Sequence, residues 1–295
     1  MPNPRALLVI VAGLVGAANA GEVRYARPRL LMEPSQLAKP GVAGQFVILD
    51  ARKQEAHAEE HLPNALWVDH DTWETAFDSG KDVGGWSKRI GQLGIGDGAK
   101  VVVYDDVSNR NAARIWWILR YFGLDDVRLL NGGWKAWKSA GLATSAEKVP
   151  PPEPVEFSAS PRKKRLVVKA QVLSSLADQR LQIVDARSED EHCGIDLKES
   201  ARGGAIPGAK HIEWSDLIDP STDRFKSPQE LKRIFDRAGI DLDRPVASHC
   251  HSGGRASVMA FGLELMGAKD PRNYYRGWSE WGNRDDTPIV APEKE

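Results

Sequence analysis

Cysteine is nearly missing: the 295-residue chain carries two, Cys193 and Cys250. Two thiols cannot build a four-cysteine zinc cage, and an exported protein stapled by disulfides would carry more. A bridge between this one pair stays open at this point. An excess of charge of one sign is missing too. Formal net charge is −1, which leaves no basic footprint for nucleic acid or an anionic membrane surface. A long hydrophobic run is also missing. The apolar stretch Ala6–Ala17 falls short of the roughly 20 residues a bilayer requires. With the basic start Met1–Arg5 before it and Ala18-Asn19-Ala20 after it, it predicts a signal peptide over residues 1–20. The expectation is export, to the periplasm in a Gram-negative source, with no stable membrane association after cleavage.

What is present is a repeat. Val47-Ile48-Leu49-Asp50-Ala51-Arg52 returns as Gln182-Ile183-Val184-Asp185-Ala186-Arg187, and His61-Leu62-Pro63-Asn64-Ala65 as Ala205-Ile206-Pro207-Gly208-Ala209. Gly94-Ile95 precedes Asp105 by the spacing with which Gly239-Ile240 precedes Cys250. Asn131-Gly132-Gly133-Trp134 answers Tyr275-Arg276-Gly277-Trp278. Four anchors in one order predict two duplicated domains, over residues 25–148 and 160–290. The run Val149-Pro150-Pro151-Pro152-Glu153-Pro154 favours polyproline II, so residues 149–159 read as a semi-rigid linker.

Each half alternates short apolar runs with helical patterns. Strands are predicted at 45–49, 100–104, 127–130, 181–184, 245–248 and 273–275. Runs such as Val101-Val102-Val103 suit strands buried on both faces. Ser227 with Glu230 forms a capping box ahead of the stripe Leu231, Ile234, Phe235 and Ala238, which predicts a helix. The fold class is therefore α/β, with a mostly parallel sheet and helices on both faces in each half. Ligands in such sheets bind beyond the carboxyl ends of the strands.

Cys250 falls at such an end, in His249-Cys250-His251-Ser252-Gly253-Gly254-Arg255. A strand, a glycine turn and a helix start aim backbone N–H groups at one spot, which favours an anionic sulfur. A nucleophilic Cys250 must also face an open pocket. Gly253 and Gly254 supply backbone conformations closed to other residues. Arg255 either holds positive charge at the rim or pairs with an acid. His251 either adds charge near the sulfur or faces solvent, and Ser252 either donates to substrate or stabilises the turn. The first half has Asp105 in place of Cys250, and a carboxylate cannot accept sulfur, so chemistry is assigned to the second half. A phosphatase loop spaces cysteine and arginine by five residues; here four intervene and the fifth-spaced position is Ala256.

With the Asp-Ala-Arg strands, the Ile-Pro-Gly-Ala turn, the Cys250–Arg255 loop and the Gly-Trp segments in hand, nearly the whole chain resembles the tandem-domain rhodaneses, the thiosulfate and mercaptopyruvate sulfurtransferases. The resemblance implies two rhodanese-like domains, a non-catalytic first and a catalytic second. It implies a Cys250 persulfide formed from a small anionic sulfur donor and discharged to a thiol or cyanide, with no metal and no cofactor. The different-class alternative is a sulfur carrier without turnover.

Ser252 stands where thiosulfate-preferring members have a basic residue, and Glu191 stands where the mercaptopyruvate type has an arginine. Thiosulfate remains the favoured donor. Asp185 and Arg187 read as structural: Asp185 organises the strand end and Arg187 forms an ion pair, with Glu191 its candidate partner. Trp134, Trp137, Trp278 and Trp281, three apart within each segment, read as core. Cys193 is a candidate partner for Cys250 in disulfide or persulfide resolution.

Overall fold

The structure is a computed structural model describing residues 23–294; the expected signal over residues 1–20 lies outside them. The first half holds strands β1 (Leu31–Met32), β2 (Val47–Asp50), β3 (Leu66–Trp67), β4 (Lys100–Tyr104) and β5 (Asp126–Leu130). Its helices are α1 (Pro34–Leu37), α2 (Gln54–Glu59), α3 (His70–Ala76), α4 (Val83–Gly91), α5 (Arg110–Tyr121) and α6 (Gly133–Ser139). The second half holds β6 (Gln182–Asp185), β7 (Lys210–His211), β8 (Val246–His249) and β9 (Pro271–Tyr274). Its helices are α7 (Lys169–Asp178), α8 (Glu189–His192), α9 (Pro228–Arg237), α10 (Gly254–Leu265) and α11 (Gly277–Trp281).

The sheets run β1-β5-β4-β2-β3 and β7-β6-β8-β9, and every strand pair is parallel. Leu166 makes a single parallel bridge to Asn273, at the edge where the first sheet has β1. The strands β1, β3 and β7 are two residues each, too short for a periodicity to announce them.

Alternation along β4 shows why the sheet needs two covers. Val101 and Val103 point into the cluster that contains α5, whereas Val102 and Tyr104 join Ile48 and Trp137 on the other face. In the second half Val184 and Val246 face one cluster and Ile183 and Ala247 the other. The inner cluster is continuous across both halves. Its seam is α5 against α10, where the rings of Trp116 and Phe261 meet edge to face at 4.9 Å. Helix α10 has 11 buried residues out of 12, as an apolar helix enclosed on all sides must. Helix α9 forms as its capping box predicts, with Ser227 accepting from Glu230 N–H and Leu231 and Phe235 buried.

The proline-rich connection has no regular structure over 150–162, but it is not a free spacer. Val155 N–H donates to Gly91 O at 3.0 Å, Ser160 N–H to Phe122 O at 2.8 Å and Arg162 N–H to Tyr121 O at 2.7 Å. It is strapped to the first half along α4 and the end of α5.

Candidate active site

Cys250 directly follows β8, and three residues later the cap of α10 begins. Gly253 is that cap, with φ 86°; its conformation favours glycine, and a Cβ there would lie 2.5 Å from the Tyr275 ring. The turn lets Gly253 N–H donate to Cys250 Sγ at 3.2 Å. The N–H groups of Gly254, Arg255 and Ala256 open α10 and have no acceptor within the helix, so the positive end of the helix sits beside the sulfur.

Behind the loop, Trp278 N–H donates to Cys250 O at 2.7 Å and Ser279 N–H to His251 O at 3.0 Å. A Cβ on Gly277 would overlap the Cys250 carbonyl. That explains the glycine in the Gly-Trp segment: the backbone of α11 presses directly on the loop.

Only 1% of Cys250 is exposed, which departs from the open pocket expected before the sulfur. His251, Ser252 and Arg255 of the same loop are partly exposed. Burial holds His251 below the usual histidine range, which disfavours its charged form beside the sulfur. Arg255 pairs with Glu191, Nη2 to Oε1 at 2.8 Å and Nη1 to the other oxygen. The carboxylate and the sulfur beside it raise the proton affinity of the guanidinium, opposing burial. Glu191 also closes a capping box with Ser188, and its carboxyl is held below the usual range chiefly by Arg255, against burial.

This pairing corrects the expected Arg187–Glu191 contact. Arg187 instead grips Asp185, Nε to Oδ1 at 2.9 Å and Nη2 to Oδ2 at 2.6 Å, and donates to Gly204 O at 2.7 Å. The side chain two residues along the strand end reaches the carboxylate directly, which leaves Glu191 to the loop. His192 Nδ1 lies 2.9 Å from Asp185 Oδ2 and the Arg187 guanidinium stacks on Trp278, 4.1 Å from its ring centre. Asp185 and Arg187 thus form a structural pair under the sheet end, with Asp185 held well below the carboxylate range by His249, Arg187 and His192 despite burial. Trp137, Trp278 and Trp281 are core; Trp134 is half-buried and caps Arg52 at 4.0 Å.

No disulfide joins Cys193 and Cys250. Cys193 lines a separate cleft of about 570 Å³ with His192, His211 and Arg237. The side chains of His70, Asp71 and Glu74 bring possible metal-ligand atoms within 4.8 Å of one another. Lys53 and Arg114 already occupy Asp71 and Glu74, a poor setting for a cation.

Two residues at the site escaped the sequence reading. Arg114, in α5 of the first half, donates to Ser252 O at 2.7 Å and to Tyr275 Oη at 2.8 Å. Tyr275 in turn packs on Phe77 and Trp117 of the first half. A lone arginine inside Ala113-Arg114-Ile115-Trp116-Trp117 was the available signal, because a charge in an apolar helix demands partners.

The model of the rhodanese-like domain matches residues 33–140 and 168–284. This chain belongs to the rhodanese family. It is 34% identical over 247 residues to the thiosulfate sulfurtransferase of Rattus norvegicus, covering 79% of this chain and 80% of that one. It is 32% identical over 243 residues to the rat 3-mercaptopyruvate sulfurtransferase, covering 79% and 80%. Among solved structures, the anaerobic ergothioneine biosynthesis enzyme from Chlorobium limicola superposes with a TM-score of 0.82 at 24% identity, covering 91% of this chain and 71% of that chain. At that identity the likeness is one of fold. The duplicated architecture read from the internal repeat is thus the family's own.

Proposed function

We propose that this rhodanese is a sulfurtransferase in which Cys250 carries the transferred sulfur, with thiosulfate the favoured donor. The observation that carries the reading is the cradle: a sulfur at the end of a central strand, taking an amide hydrogen bond at 3.2 Å at the mouth of a helix and beside a guanidinium. In the first step the Cys250 thiolate attacks the sulfane sulfur of thiosulfate. The sulfur–sulfur bond of the donor breaks, sulfite leaves with the electron pair, and a persulfide anion remains. In the second, cyanide or a thiolate attacks the outer sulfur and Cys250 departs as thiolate. Each step forms one bond to sulfur and breaks one, so one hard transfer becomes two easier ones. Loop amides stabilise the charge where it develops.

The curated relatives are named for thiosulfate and for 3-mercaptopyruvate, so the preference has to come from this chain. Glu191 occupies the place of a carboxylate-binding arginine and pairs with Arg255; an acid at that place repels the carboxylate of a keto acid. We assign no sulfur chemistry to the first half. Export with removal of residues 1–20 is a further part of the proposal, tested by the N-terminal sequence of the mature protein. Steady-state rates with thiosulfate and mercaptopyruvate, side by side, test the donor; faster turnover with mercaptopyruvate reverses the preference.

The second reading is a carrier that loads sulfur at Cys250 without turning over. Intact mass showing one added sulfur on Cys250, with no discharge to cyanide or to any of several thiols, supports that reading.

A further inference from the structure

The positive charge around Cys250 is not supplied by the second half alone. Arg114 belongs to the first half, is 5% exposed, and reaches over the domain seam to Ser252 O and Tyr275 Oη. Its Nη2 meets Glu74 at 3.0 Å. A Cβ on Gly254 would lie 2.6 Å from this guanidinium, so the glycine is what admits the cation against the first residue of α10.

Electrostatics alone disfavours that placement. A helix N-terminus already carries partial positive charge, and burying a cation costs several kcal/mol. Arg255 brings a second guanidinium into the same first turn. Each arginine has one carboxylate partner, Glu74 or Glu191. The two cations and the helix end together favour an anion at Cys250.

Counting five residues past the cap, α5 has Arg114 after Asn109 and α10 has Val258 after Gly253. The cation runs one way, from the first half toward the sulfur.

We propose that Arg114 is a positioning residue for sulfur transfer: it fixes the Cys250 loop through Ser252 and Tyr275 and holds positive potential on the sulfur. This rests on the reading of Cys250 as the sulfur carrier. The other charged or titratable groups around the loop and Arg114 are Arg255, His251 and Tyr275, His70 of α3 beside Arg114 and Glu74, and Arg187 and Glu199 near His251. Glu191 and Glu74 stand behind the two arginines, and His249 stands against Asp185 at the strand end. Burial pushes Tyr275 up to about 12, so it stays a neutral partner of Arg114.

The test is the pH profile of Cys250 alkylation by iodoacetamide, read by intact mass on the full chain in a Cys193→Ser background. Persulfide formation from thiosulfate is measured beside it. Arg114→Met moves the alkylation midpoint up by about one pH unit, the low end for losing an opposite charge at close range, and slows persulfide formation about tenfold. Arg114→Lys recovers most of the midpoint but not the rate, because an ammonium keeps the charge and loses the fork. Glu74→Gln strips the counter-charge, leaves Arg114 in place and moves the midpoint down. Unmoved midpoints in both Arg114→Met and Glu74→Gln overturn the proposal, whatever happens to Tm. So does a shift of both in one direction, which general loosening of the loop would give. If the wild type forms no persulfide, the sulfur-carrier reading falls, and the midpoints still decide the part played by Arg114.

Discussion

The two halves present related cradles, one filled by a carboxylate and one holding a thiol. In the first half, Asp105 occupies the position of Cys250 and its carboxylate accepts four amides. Val107 and Asn109 donate to Oδ1 at 3.1 and 2.9 Å, and Asn111 and Ala112 to Oδ2 at 2.8 Å each. In the second, the sulfur takes one, from Gly253. The loop lengths follow: α5 begins five residues after Asp105 and α10 four after Cys250, the longer turn wrapping the bulkier group. The rear support is shared, since Trp134 N–H donates to Asp105 O at 2.8 Å as Trp278 N–H does to Cys250 O. The fold thus sets a strand-end residue in the turn before a helix in both copies, and in the first the protein fills that turn with its own carboxylate. The ion pair under each sheet repeats as well, Asp50–Arg52 capped by Trp134 matching Asp185–Arg187 capped by Trp278.

Exchanging the strand-end residues has the largest expected effect. Cys250→Ser is expected to lower thiosulfate:cyanide turnover by about a thousandfold or more with little change in Tm. Asp105→Cys in that background is expected to restore none of it, because its loop is longer and no first-turn arginine pairs as Arg255 does. Recovery of turnover there would show the two cradles to be equivalent. Next in size, Asp105→Ala strands four amides, two buried and two part-buried, and is expected to cost on the order of 4 kcal/mol in urea unfolding. Turnover per folded molecule at Cys250 should remain within about twofold of wild type.

The glycines behind the loops give a matched pair. A Cβ on Gly133 or Gly277 would overlap the carbonyl of Asp105 or Cys250, each at positive φ. Both alanine variants are expected to lose about 3 kcal/mol. Only Gly277→Ala should also lose turnover, about tenfold; equal activity loss in both would mean the halves are not functionally distinct.

The smallest effect is a contrast in pH. His249 pairs in register with Asp185 where Tyr104 pairs with Asp50. Burial drops His249 to about 4, so the unfolded chain binds the extra proton between about pH 4 and 6.5, and stability rises with pH through that window. Burial lifts Asp105 to about 6 against the pull of its four amides. There the folded chain holds the extra proton, and stability falls as pH rises from the ordinary carboxylate range to about 6. Each contribution is on the order of 2–3 kcal/mol. His249→Tyr should remove the rising component and Asp105→Asn the falling one, as read from urea midpoints between pH 4 and 7. The same slope in wild type and both variants would contradict the assignments.

Much of this is legible in the sequence. The duplication, the parallel α/β class, the Cys250 loop and the Asp105 substitution are all carried by local pattern, since strand ends, glycine turns and capping boxes are written in adjacent residues. Two-residue strands are not, because no periodicity fits in them.

Local sequence by itself determined which residue stands at each strand tip and which turn surrounds it, because backbone sterics act over a few neighbours. Tertiary packing alone decided that Arg187 holds Asp185 while Glu191 holds Arg255, and that Arg114 from the first half reaches the second half's loop. Those choices depend on where long side chains find a counter-charge once water is excluded, and partners as far apart in sequence as Arg114 and Ser252 meet only when α5 and α10 are packed together.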